Sequence, residues 1–218
     1  MLVSAQNHCV LIDCGEDWLG RFERFRPTAI LLTHGHPDHA GGLRNGAACP
    51  VYASADTWRV IRTFPIAERC ELPRQRPIMV GGFVVEAWPL QHSLNAPAVG
   101  FKILSPRGSL FYAPDVAALQ RPRQTLQGVD LYIGDGAVVE RSLVRRRGAA
   151  LIGHANVATQ LAWCKTNGIT RAIFTHCGTG VVRSNPRRVE AIVRALGEAW
   201  DVRASLAHDG LRVELHRS

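Results

Sequence analysis

The sequence predicts one mixed α/β domain over residues 1–218. Three observations carry that prediction. Short apolar runs bounded by Gly, Pro and Asn, such as Ala29-Ile30-Leu31-Leu32 and Val129 to Gly134, read as buried strands. Other segments place apolar residues at helical spacing, as Val189, Ile192, Val193 and Leu196 do behind Asn185-Pro186. The two kinds alternate from end to end without a repeat, a low-complexity tract or a linker, so antiparallel hairpins should accompany crossovers around one core. A length of 218 residues suits one large domain or at most two small ones, and 46% apolar residues is ordinary for a protein with a sizeable core.

Taken in order, residues 2–5 and 9–13 form a hairpin turning at Gln6-Asn7, and Cys14-Gly15 stops the second strand. Trp18, Phe22 and Phe25 recur at helical spacing behind Asp17, which predicts a short helix ended by Pro27. A strand at 29–33 follows. Another near Val51-Tyr52 precedes a helix capped by Ser54 and broken before Pro65. Residues 65–80, rich in Pro and Arg, read as an irregular connection. Strands are expected at 82–88, 98–104 and 109–113, a mixed helical or loop segment at 116–128, and a buried strand from Val129 to Gly134. Asn156 to Asn167 is a helix with Val157, Leu161 and Cys164 on one face and Gly168 as its stop. Arg171 to Thr175 is a strand, Asn185 caps a last helix, and strands near 201–206 and 211–215 close the chain.

Composition narrows the setting. No stretch approaches the roughly 18–20 consecutive apolar residues of a membrane span, so no membrane partner is expected. The first eight residues lack the basic and apolar regions of a signal peptide. The six cysteines show no CxxC spacing, which fits reduced thiols in a cytoplasm. A net charge of +8 favours anionic partners, either phosphate-bearing small molecules or nucleic acid.

The chemistry is densest at Thr33-His34-Gly35-His36-Pro37-Asp38-His39-Ala40-Gly41-Gly42. His34, His36, Asp38 and His39 directly follow a buried strand, and the Gly/Pro-broken loop lets them face one pocket. A single tetrahedral ion rarely needs four ligands from so short a stretch, so the cluster suits two adjacent divalent cations. Further candidates each stand just past an expected strand: His92, Asp115 and His176. Any one of them alone would read as a surface polar residue. Their recurrence after apolar strands lines them along one sheet rim.

These residues resemble the metallo-β-lactamase-fold hydrolases, whose HxHxDH signature matches His34 to His39, with Leu11-Ile12-Asp13-Cys14-Gly15 upstream. The resemblance implies a four-layer αββα sandwich with metals at one edge. By it, His34, His36 and His92 hold a first ion, Asp38, His39 and His176 a second, and Asp115 bridges them. Three His plus carboxylate suits zinc, with manganese or iron allowed by the same donors. His154, 22 positions before His176, is similar to the extra His that serves as proton donor in the tRNA 3′-processing endonucleases and phosphoribosyl cyclic phosphate phosphodiesterases, and Asp135 stands where its acidic partner is found. His154, Asp135 and the ligand Asp38 are therefore the expected catalytic residues.

The short gap from His92 to Asp115 leaves no room for a tRNA-gripping arm, so the resemblance implies a dinuclear phosphodiesterase for a small or cyclic phosphate ester. RNA 3′-end processing is the nearest rival, and a lactone, carboxyl-ester or thioester hydrolase on the same metals is the next. A degenerate scaffold protein is the non-enzymatic alternative. His208 reads either as a residue behind the metals or as a surface turn. The runs Arg145-Arg146-Arg147 and Arg187-Arg188 read as solvated faces. Relatives of this branch begin with an extra strand before the hairpin; the shortened start here is expected to leave a sheet edge open to pairing with a second copy.

Overall fold

The structure, a computed structural model, describes residues 1–216. Its elements in chain order are β1 (Leu2–Ala5), β2 (His8–Ile12), β3 (Ala29–Leu31), α1 (Pro37–Ala40), β4 (Val51–Ala53), α2 (Ala55–Val60), β5 (Arg69–Glu71), β6 (Ile78–Val80), β7 (Phe83–Gln91), β8 (Ala98–Ser105), β9 (Gly108–Tyr112), β10 (Ala118–Leu119), α3 (Pro122–Leu126), β11 (Leu131–Asp135), β12 (Arg145–Arg147), β13 (Ala150–Ile152), α4 (Val157–Thr166), β14 (Arg171–Thr175), α5 (Thr179–Val182), α6 (Pro186–Ala199) and β15 (Arg203–Leu206). The chain falls into two compact units. One comprises Met1–Trp88 with Asn95–Val99, the other Pro89–Leu94 with Gly100 onward. No helix of the described residues is long and apolar enough to cross a membrane.

The first unit holds a five-stranded sheet in the order β1-β2-β3-β4-β5. β1 and β2 form the expected antiparallel hairpin, while β2, β3, β4 and β5 run parallel. Parallel strands end at a common edge, and here Asp13, Thr33 and Ser54 follow β2, β3 and β4. Leu11, Ile30, Leu32, Val51, Leu43 and Phe22 form the buried cluster on one side, with Trp18 and Trp58 packed against it. Ser54 caps α2, its side chain accepting the Thr57 N–H.

The second unit carries a parallel run, β9-β11-β14-β15, set by pairs such as Ile133 with Tyr112, Asp135 with Thr175, and Ile173 with Ser205. β8 lies antiparallel to β9, and the end of β7 pairs with β10 through Leu90 and Gln91. Phe101, Phe111, Tyr132 and Phe174 fill its core, all essentially inaccessible. Asn156 caps α4 by accepting the Thr159 N–H, and Asn185 caps α6 by accepting those of Arg187 and Arg188, as their sequence positions predict.

Several expectations fail for local reasons. The helix expected at 18–25 is two 3₁₀ turns, Glu16–Trp18 and Phe22–Phe25, separated at Gly20, whose φ of +66° ends helical geometry. Residues 65–80 are not wholly irregular: they contain β5, whose Arg69-Cys70-Glu71 is mostly polar, and β6, an apolar run of only three residues behind Pro77, both too short to show alternation. The hairpin β12–β13 and the short α5 were not expected, and no strand is assigned to 211–216.

Candidate metal centre

In the first unit, β3 delivers Thr33 and His34 into a loop, and α1 begins one residue after His36 with Pro37 at its first position. Close packing fixes this segment. A Cβ on Gly15 would lie 2.2 Å from the Asp38 carbonyl oxygen, so only glycine lets the strand exit approach α1. His34 and His39 are buried, His36 is half-buried and the Asp38 side chain is exposed.

Hydrogen bonds orient the rings. Asp13 accepts from the Thr33 N–H at 2.8 Å and from the Thr33 hydroxyl at 2.9 Å, and its Oδ2 accepts from His39 Nδ1 at 2.9 Å. With its proton given to Asp13, the Thr33 hydroxyl can accept from His34 Nδ1 at 3.1 Å. These bonds place the protons of His34 and His39 on Nδ1 and leave both Nε2 atoms as donors to a metal. A carboxylate behind an imidazole ligand is the usual means of fixing its tautomer. His34 Nε2 stands 2.8 Å from His36 Nδ1, two ring nitrogens converging on one point, and His39 Nε2 lies 3.7 Å from Asp38 Oδ2. The His34 ring centroid is 4.5 Å from that of His36 and 4.2 Å from that of His39. Asp13 was not singled out as a site residue; the signal was an acidic residue ending an apolar strand.

The second unit gathers residues from several places in the chain. Asp115 follows β9, Asp135 ends β11, His176 follows β14, and His92 follows β7. Because β9, β11 and β14 are parallel and in register, their carboxyl ends meet at one edge. Asp115 Oδ1 lies 3.6 Å from His92 Nε2, 3.6 Å from His154 Nδ1 and 3.5 Å from His176 Nδ1. His92 donates Nδ1–H to the Gly153 carbonyl at 3.2 Å, which directs Nε2 toward Asp115. One ligand atom from each of His92, Asp115 and His154 falls within 4.8 Å of the others. His154 is committed elsewhere, however: its Nδ1 lies 2.8 Å from Asp135 Oδ2.

Asp135 is wholly buried and over-determined. Besides His154 it accepts the Val116 N–H at 3.0 Å and the Ala137 N–H at 2.9 Å. Gln160 of α4 holds its backbone from both sides, accepting the Asp135 N–H at 2.9 Å and donating to the Asp135 carbonyl at 2.7 Å. The same amide accepts the Tyr132 hydroxyl and donates to the Ala155 carbonyl, so all four of its hydrogen-bonding positions are used. Gln160 was also missed; a glutamine three residues after Val157, on the apolar face of a capped helix, was the available clue.

Both clusters store strain. Asp13 has φ +58° and His176 φ +55°, left-handed conformations that side-chain-bearing residues adopt at a cost of about 1–3 kcal/mol and that concentrate at functional positions. Cys177 stands next to His176. Burial, and secondarily the charges of Asp135 and Glu190, push its thiol upward, so it stays protonated at neutral pH. His208 is exposed on the turn after β15, and Arg145, Arg146 and Arg147 are exposed on β12.

Every ligand candidate read from the sequence thus lies in one of the two clusters: His34, His36, Asp38 and His39 in the first, His92, Asp115 and His176 in the second, with the His154–Asp135 pair beside the latter. Imidazole and carboxylate donors with tautomers fixed from behind fit a hard or borderline divalent cation.

Comparison with known proteins shows the family. The chain matches the beta-lactamase superfamily domain over residues 8–177. A metal-dependent hydrolase of Pyrobaculum neutrophilum is 30% identical over 189 residues, covering 78% of this chain and 76% of that protein. Ribonuclease J of Corynebacterium glutamicum is 31% identical over 131 residues, 52% of this chain; the chain spans only 16% of that longer protein. Among solved structures, a diphosphatase from the PhnP family superposes with a TM-score of 0.69 at 22% identity, covering 100% of this chain and 85% of the other. The fold is the α/β sandwich of the metallo-β-lactamases. The chain belongs to the beta-lactamase superfamily and is one of its metal-dependent hydrolases.

Proposed function

We propose that this hydrolase is a dinuclear metal-dependent phosphodiesterase acting on a small or cyclic phosphate ester, with His154 as proton donor. The observation that supports this reading is the His154–Asp135 pair, 2.8 Å apart, with Asp135 wholly buried. A carboxylate pinned by two backbone N–H groups cannot turn away, so it holds His154 with Nδ1 inward and Nε2 outward. Cleaving a phosphodiester expels an alkoxide, a poor leaving group that needs a proton as the bond breaks. His154 delivers it from Nε2, a step worth roughly 10²–10⁴-fold in rate. Thioester hydrolysis expels a thiolate, which leaves without such help. A half-buried, oriented imidazole therefore favours the phosphoester over the thioester.

On the family's pattern, His34, His36 and His92 would hold one ion, Asp38, His39 and His176 the other, and Asp115 would bridge. Bound divalent ions supply Lewis acidity and a water of lowered pKa. Zinc is the expected metal, manganese the alternative. Asp13 keeps His39 in its ligating tautomer, and Gly153 does the same for His92. The two units would work as one hydrolase domain, and the six free cysteines support a cytoplasmic setting.

RNA 3′-end processing is a second reading, favoured by the net charge of +8, the exposed arginines of β12 and the ribonuclease J likeness. A hydrolysis panel on zinc- or manganese-reconstituted protein tests both. It should hold bis(p-nitrophenyl) phosphate, 2′,3′-cyclic and ribosyl cyclic phosphates, a precursor tRNA, a lactone and a thioester. Turnover of the small phosphodiesters is expected. Turnover of the tRNA alone, with a steep salt dependence, would move the reading to RNA. Turnover only of lactone or thioester would overturn it.

A further inference from the structure

The second unit contains a cavity of about 830 Å³ that the chemistry described so far does not use. Its walls are the loop 137–143, which leaves β11 just after Asp135, and the segment from Gly180 to Ile192, which follows His176. Two wall residues are bonded directly to the proposed acid pair: Ala137 donates its N–H to Asp135 Oδ1 at 2.9 Å, and Leu143 donates its N–H to the His154 carbonyl at 3.0 Å. A Cβ on Gly178 would lie 2.5 Å from the Ala137 carbonyl oxygen, so the two walls start in close contact. The groove therefore adjoins the residues that orient His154.

Its lining is mixed. Val138, Val181 and Ile192 supply apolar surface, while Arg141 belongs to one wall segment and Arg188 to the other. Both arginines are exposed, and among the described residues neither makes an ion pair. Elsewhere in the chain, Arg44, Arg59 and Arg74 do pair with carboxylates. The volume lies within the roughly 300–1,000 Å³ of small-ligand sites, enough for a nucleotide-sized molecule. Guanidinium groups recognise phosphate oxygens by paired N–H donation.

We infer that this groove binds the part of the substrate remote from the scissile phosphate, and that Arg141 and Arg188 grip a second anionic group there. The preferred substrate is then a phosphoester of nucleotide size carrying another phosphate on an apolar or planar body. This rests on the phosphodiesterase reading for what is cleaved, but not for what is bound.

The test uses the full chain reconstituted with zinc, as wild type, as Arg141→Ala/Arg188→Ala, and as Arg194→Ala, which removes an exposed charge elsewhere on α6. Calorimetry measures binding of adenosine 5′-monophosphate and of adenosine. Kinetics compare 2′,3′-cyclic adenosine monophosphate with and without a 5′-phosphate. Wild type and Arg194→Ala should bind the monophosphate at least tenfold more tightly than the double variant, with adenosine binding unchanged. The 5′-phosphate should lower KM at least tenfold in wild type but not in the double variant, with kcat preserved. Equal monophosphate affinity in wild type and double variant would overturn the groove assignment, even with both cyclic substrates turned over. Arginine-dependent binding without turnover of either substrate would instead sink the phosphodiester reading and leave the groove standing.

Discussion

The two clusters of ligand residues are built in opposite ways. The first is contiguous: one strand exit and one short helix carry His34, His36, Asp38 and His39 within six positions. Its support is a carboxyl side chain, Asp13, bonded to Thr33 and His39. The second is assembled from His92, Asp115, Asp135, His154 and His176, spread over 85 positions, and its supporting carboxyl group, Asp135, is itself held by backbone N–H groups and the amide of Gln160. A contiguous motif needs only local geometry to face one point. A dispersed one exists only while parallel strands stay in register. The first cluster should therefore answer to charge changes behind the ligands, and the second to changes in packing and backbone hydrogen bonding.

The largest expected effect separates donation of a proton from ligation. His154→Ala should lower kcat on a good phosphodiester by about 10²–10⁴-fold while metal content, measured by elemental analysis, stays at the wild-type level. Loss of metal in that variant would make His154 a ligand and draw it into the first cluster's class. Next in size is Asp13→Asn, which keeps shape and removes charge. Metal affinity, measured by competition with a chelator, should fall by about 10–100-fold with little change in thermal midpoint. An unchanged affinity would remove the electrostatic distinction between the clusters.

Gln160→Leu should do the reverse. It strips partners from the buried Asp135 N–H and carbonyl, and each unsatisfied group costs about 1–3 kcal/mol. A drop in denaturation midpoint is expected, with turnover falling through a misplaced His154 rather than through lost metal. The smallest effect concerns the thiols behind each cluster. Burial pushes Cys14, in the first unit, and Cys164, in the second, up to about 12. At pH 8 only about one in 10⁴ of either would be thiolate, so mass spectrometry should find both unalkylated by iodoacetamide in native protein. Rapid labelling of Cys14 alone would mean that the first unit opens more readily than the second.

Legibility in the sequence followed physical cause. β3, β9, β11 and β14 announced themselves because strands buried on both faces are near-continuous apolar runs. The helices at 157–166 and 186–199 showed both a cap and a face. β5 and β12 gave no such signal: Arg69-Cys70-Glu71 and Arg145-Arg146-Arg147 bury too little for patterning, and pairing with a neighbour alone makes them strands. The apolar spacing of Trp18, Phe22 and Phe25 was real, since these side chains do face inward in part, but Gly20 prevents the helix that such spacing implies.

What the sequence by itself determined is the inventory: an α/β chain, the positions of the ligand candidates, and the superfamily they mark. These depend on residue type and short-range spacing. The tertiary structure decided which residues stand behind the ligands. Asp13 sits beside His39 because β2 and β3 are parallel neighbours, and Gln160 reaches Asp135 because α4 packs against β11; neither pairing follows from separations of 26 and 25 positions. It also decided that Arg141 and Arg188, 47 positions apart, line one groove, because the segments that carry them follow the neighbouring parallel strands β11 and β14.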